Sequence, residues 1–194
     1  MGGRLRDPLV GRDVLSGVAM GLGWVLAFNV GYFFLMRAGA RPAFPSTEFL
    51  LGIPDALGYW LGRFVVSILG TLTFFIILVV LRVLVRIPWL AGVLFVALFL
   101  APKLLSSSHP MIEAPIWLII YVIAAVAVVR FGLVVLATAT FTANTLLNVP
   151  STLDFSNWYA VNSVLVLLGF VAIAAWGFYT SMAGQRLLKD DLFE

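Results

Sequence analysis

"APIWLIIYVIAAVAVVRFGLVVLATATFTANTLLNV", Ala114 to Val149, decides the fold of this chain. It runs for 36 positions and carries one formal charge, Arg130, near its middle. As a single helix rising 1.5 Å per residue it would reach about 54 Å, against roughly 30 Å of hydrocarbon in a bilayer. That geometry would also strand the arginine in lipid, where a charge is costly, whereas at the interface it costs little. The reading is therefore two short helices, 114–129 and 133–148, turning at Val129-Arg130-Phe131-Gly132.

Working outward, four further apolar runs approach the twenty or so residues that a crossing needs. They are Val14–Met36, interrupted only by Asn29, then Phe64–Leu81, Ile87–Leu105 and Trp158–Ala183. Pro88 suits a helix's first turn, where the missing N–H has no partner to lose. The last run has aromatic residues at both ends, as headgroup regions favour. Phe49–Gly62 is apolar but short and contains Pro54 and Asp55, so it is expected to be an interfacial or re-entrant segment.

The composition agrees. Of 194 residues, 62% are hydrophobic and 11% charged, with a mean hydropathy of +1.09. A soluble domain of this size cannot hide so much apolar surface. The expected fold is all-α, a polytopic integral membrane bundle of about six helices. Residues 1–13 form a cytoplasmic junction, 14–183 the membrane domain and 184–194 a cytoplasmic tail.

Charge placement orients it. Six spans with a cytoplasmic start put Arg4, Arg6, Arg12, Arg82, Arg86, Arg130, Arg186 and Lys189 inside, and Arg37, Arg41, Arg63 and Lys103 outside. That bias follows the positive-inside rule, so both ends are expected in the cytoplasm. The first span is too long for a cleaved signal, and Arg37 abuts Ala38-Gly39-Ala40, so it is expected to stay. "MGGRLR" lacks the Ser or Thr that myristoylation requires.

Reactive groups are sparse. There is no cysteine, which removes thiol chemistry and zinc–thiolate sites. His109 is the one histidine and Glu113 its nearest carboxylate, too few ligands for a metal. No H-E-x-x-H, G-x-S-x-G, P-loop or intramembrane carboxylate pair occurs. No catalytic, cofactor-binding or metal residue is therefore expected, and the chain reads as a non-enzyme. A net charge of +3 is too small and dispersed for nucleic acid.

Arg63 and Arg130 end apolar runs and read as interfacial anchors, with substrate-binding or gating charges as the alternative. Ala137–Thr145, "ATATFTANT", holds four threonines and Asn144. Such side chains bond the preceding turn or a neighbouring helix, a pore lining being the sharper reading; Asn29 and Asn162 read alike. Gly17–Gly21 and Gly58–Gly62 match G-x-x-x-G, which brings two backbones close within the chain or across a homodimer.

Four stretches carry a resemblance: "RDPLVGRDVL" at Arg6, "RFGL" at Arg130, "STLDFSNWYAVNS" at Ser151 and "GFYTSMAGQ" at Gly177. Together they resemble the carboxy-terminal multi-pass membrane region of bacterial serine/threonine protein kinases. The kinase module is absent: there is no Gly-rich phosphate loop with its lysine, no H-R-D and no D-F-G. The resemblance implies a membrane module of the bacterial inner membrane, a fragment or a stand-alone relative, with a linked or separate kinase domain as partner. Anchoring is its minimum role, and signal sensing through rearranged or dimerised helices a second one. "RLRDPLVGRDVL" then reads as the junction with that domain, its arginines suited to anionic headgroups. The alternative is a membrane subunit of a small-solute permease.

Overall fold

The computed structural model describes residues 7–40, 47, 51–149, 156–157 and 160–182. These residues form six α-helices: α1 Pro8–Arg37, α2 Ile53–Val85, α3 Pro88–Leu105, α4 Pro110–Val126, α5 Leu133–Leu146 and α6 Ala160–Ser181. No strand occurs among the described residues. Among the described residues five helices are long and apolar enough to cross a membrane, counting α4 on through Phe131. This is the helical bundle of an integral membrane protein.

Contacts fix the directions. Gly17 meets Val135 and Thr138, and Gly21 meets Ala139 and Thr142, so α1 and α5 run parallel. Gly31 meets Ile116 at the far end of α1, so α4 runs against it. Phe74 pairs with both Phe95 and Phe99, and Phe99 with Tyr121, which threads α3 between α2 and α4. Phe170 packs on Phe141 while Gly177 lies on Gly11, so α6 descends beside α1. The six helices alternate in direction, and Gly11 and Ser181 come together at one end of the bundle.

Local chemistry sets the helix ends. Asp7 caps α1, its carboxylate accepting from the Leu9 N–H at 2.9 Å, and Pro8 fills the first helical position. The helix thus begins six residues before the expected Val14. Ile53–Gly62 do not form a separate segment: they are the first turns of α2, which continues unbroken for 33 residues, about 50 Å. Pro54 and Asp55 mark its start, where a missing donor is harmless and a negative charge meets the positive helix end. Arg86, left-handed at φ 59°, and Pro88 stop it.

The expected hairpin is present. After Val126 the backbone widens into a π turn, Ala127–Phe131, and the Gly132 N–H bonds the Ala127 carbonyl at 2.9 Å. Gly132 has φ 101° and ψ −173°, a region essentially closed to other residues, and α5 starts at the next position. Arg130 lies exposed on this turn.

α5 departs from the others. Its 14 residues cover about 21 Å, short of the hydrocarbon thickness, so it does not meet the length of the sixth span expected for it. It is also the bundle's centre: Val135, Leu136, Ala139, Thr142 and Thr145 are fully enclosed. Around it the exposed surfaces are Leu, Val, Ile and Phe, while the seams combine Gly, Ala, Ser and Thr with a few large residues such as Phe95, Ile120 and Leu136. In lipid, helices associate by close packing rather than water exclusion, so small residues belong inside.

Arg4, Arg6, Arg41, Arg186 and Lys189, the 184–194 tail, Phe49, Leu50, residues 151–155 and the outer ends of the Trp158–Ala183 span lie outside the described residues. Among described cations, Arg12, Arg82, Arg86 and Arg130 belong to the end shared by Gly11 and Ser181.

Candidate functional site

The polar residues of α5 converge on α2. Thr71 and Thr140 place their hydroxyl oxygens 2.9 Å apart, and Asn144 Nδ2 donates to Ser67 Oγ at 3.2 Å. Thr140 also reaches the carbonyl of Leu136 in its own helix at 2.9 Å. One hydroxyl has one proton and two lone pairs, so with that proton on Leu136 it accepts from Thr71. Thr138 and Thr142 bond the carbonyls of Val134 and Thr138, one turn back. Both kinds of bond expected of the threonine run are made. Thr145 Oγ1 is enclosed and has no partner.

The seam borders a cavity of about 210 Å³ between α1, α2, α4 and α5. Ser67, Thr140 and Asn144 supply its polar wall, Phe28 and Trp117 its roof. Beyond the same two rings lies a second cavity of about 650 Å³ at the end of the bundle away from Gly11 and Ser181. Its walls include Tyr32, His109 and Glu113. The described residues of α5 end at Leu146 and do not line it; its walls come from α1, from α4 and from the residues just outside them.

Phe28 and Trp117 meet edge to face, ring centres 6.1 Å apart, and separate the two spaces. Trp117 is held from several sides. Its Nε1–H donates to Glu113 Oε2 at 3.3 Å, Lys103 Nζ sits 4.7 Å from the ring centre, and Tyr121 stacks at 5.8 Å. The two rings line both hollows and stand between them.

His109 and Glu113 are therefore brought into one cavity, although no cluster of three His, Cys, Asp or Glu occurs among the described residues. Arg63 lies in the third turn of α2, its guanidinium carbon 4.4 Å above Tyr59, and lines neither cavity; nor does Arg130. Asn29 faces outward and donates to the Val25 carbonyl at 2.8 Å, while Asn162 is buried at the start of α6.

The two glycine motifs divide. Gly17 and Gly21 pack inside the chain, where an added Cβ would come within 2.6 Å of Thr138 and Thr142 Cβ atoms. Gly58 and Gly62 face open space. Phe28, Tyr32 and Trp117 were not singled out in the sequence; their role depends on the meeting of α1 and α4, which no local pattern encodes. No protein-family model, curated protein or solved structure matches the chain.

Proposed function

We propose that this chain is a membrane-anchoring and sensing module without catalytic chemistry of its own. The observation that carries this reading is polarity: the described ends of the first and last helices share one face of the bundle, and the large cavity opens at the other. A signal received in the cavity acts on α1 and α4, and α1 runs the full depth of the bundle to the opposite face. Output at that face would go to a kinase domain, linked or separate, as the resemblance of the four stretches implies. The shared face is the cytoplasmic one of a bacterial inner membrane on this reading, supported by the sequence-wide excess of Arg and Lys assigned there. Anionic headgroups are its lipid partners at that face.

The test joins a kinase to the amino-terminal end and reads autophosphorylation in membranes. Blocking the cavity with Ser108→Trp should change phosphorylation, and replacing the chain by an unrelated six-span anchor should abolish that response. Equal phosphorylation in all three leaves anchoring alone.

A permease subunit is the second reading, favoured by one feature. Phe28 and Trp117 wall both cavities, so opening that pair would join them into a path from one face to the bundle centre. Solute flux into liposomes containing the purified chain supports transport; tight liposomes with every solute class tried oppose it.

A further inference from the structure

The outer cavity has an unusual charge balance. Among the residues that line it, Glu113 carries the one formal charge. The described cations at that end of the bundle sit on rings instead. Arg37 lies 4.5 Å from the Phe33 centre, Arg63 4.4 Å from Tyr59 and Lys103 4.7 Å from Trp117. The ion pair found among the described residues, Arg12–Asp13, is at the opposite end. Glu113 thus keeps its charge uncompensated by any ion pair among the described residues, in a space walled by Phe28, Tyr32 and Trp117. The positive end of α4 offsets about half a charge, and Lys103 stands over the Trp117 ring rather than on the carboxylate.

We propose that this cavity binds a small organic cation, a protonated or quaternary amine. The inference rests on the sensing reading and gives its ligand a chemical class. A carboxylate beside aromatic rings meets both needs of such a ligand, a counter-charge and polarisable faces in place of water. The volume, about 650 Å³, lies within the range of small-molecule sites. The protein already seats an ammonium on Trp117, that of Lys103, so this wall accepts positive charge. An anion would face Glu113 directly, and a neutral solute would leave it with the Trp117 N–H as partner but no counter-charge.

The experiment measures binding to the full chain, purified in lipid nanodiscs, by isothermal titration. Three isosteric probes differ only in charge: choline, 3,3-dimethylbutanol and 3,3-dimethylbutanoate. Choline should bind at least about tenfold more tightly than either of the others. Glu113→Gln should erase that preference, Glu113→Asp should keep part of it, and Ser108→Trp, on an exposed loop, should abolish binding without touching the carboxylate. Equal binding of choline and the alcohol, preference for the anion, or no binding of any probe would each overturn the proposal. Because the assay needs no kinase, its failure is separable from that of the sensing reading. If choline binds as expected but never alters phosphorylation in the fusion, the amine site stands and sensing falls.

Discussion

The hydroxyl oxygens of Thr71 and Thr140 lie 2.9 Å apart and enclosed, tying α2 to α5 where neither helix offers a charge. Each hydroxyl is so placed that loss of one alters the partner's bonding. Thr140→Val should lower stability by about 1 kcal/mol, the usual scale of such bonds between membrane helices. Thr71→Val/Thr140→Val should cost less than the sum of the single changes, because neither hydroxyl is then left alone. Unfolding in graded denaturing detergent reads this, and strict additivity would mean the pair is not coupled.

The two glycine motifs should respond oppositely to the same change. Gly17→Ala and Gly21→Ala drive a methyl into Thr138 and Thr142 and should each cost about 1–3 kcal/mol. Gly58→Ala and Gly62→Ala meet nothing and should be neutral or slightly stabilising through helix propensity. Gly132→Ala, at φ 101°, belongs with the costly group for backbone reasons alone. Melting temperatures of the five variants rank them, and a Gly17→Ala protein as stable as Gly62→Ala would contradict the close α1–α5 approach.

The aromatic partition predicts a labelling result. The chain has no cysteine, so one placed at Ser67 reports alone. Ser67→Cys should resist a membrane-impermeant thiol reagent with Trp117 intact and react at least about tenfold faster in Ser67→Cys/Trp117→Ala, with about 1.4 kcal/mol of barrier removed. Equal rates would mean the two cavities are not divided there.

Alternating helix directions put Ser106 and Arg130 on opposite faces, and the proposed cytoplasmic start makes the Ser106 face the outer one. In intact cells Ser106→Cys should then label and Arg130→Cys should not, while lysis should expose both. Labelling of both before lysis would break the alternation at α4 or α5.

Much of this architecture was legible in the sequence, for identifiable reasons. The α4–α5 hairpin follows from one arginine and one glycine in an over-long apolar run, since lipid leaves few other solutions. The start of α2 was misread because Pro54 and Asp55 resemble a break. At the second and third positions of a helix both are starting signals, and the apolar residues on either side belong to one rod. Asp7-Pro8 carried a similar signal at the start of α1. The threonine bonds were foreseeable in kind, though their partners in α2 were not. The cavities were illegible because Phe28 and Trp117 are remote in sequence, and each alone looks like an ordinary lipid-facing aromatic.

The brevity of α5 has an electrical consequence. Were water to fill the cavity on the far side of Trp117, it would carry the potential of that solution part of the way into the bundle. The voltage would then fall across a depth nearer that of α5, about 21 Å, and the field there would be steeper than in the surrounding bilayer. A cation moved past the indole would traverse nearly the whole drop, worth about 2.3 kcal/mol per 100 mV.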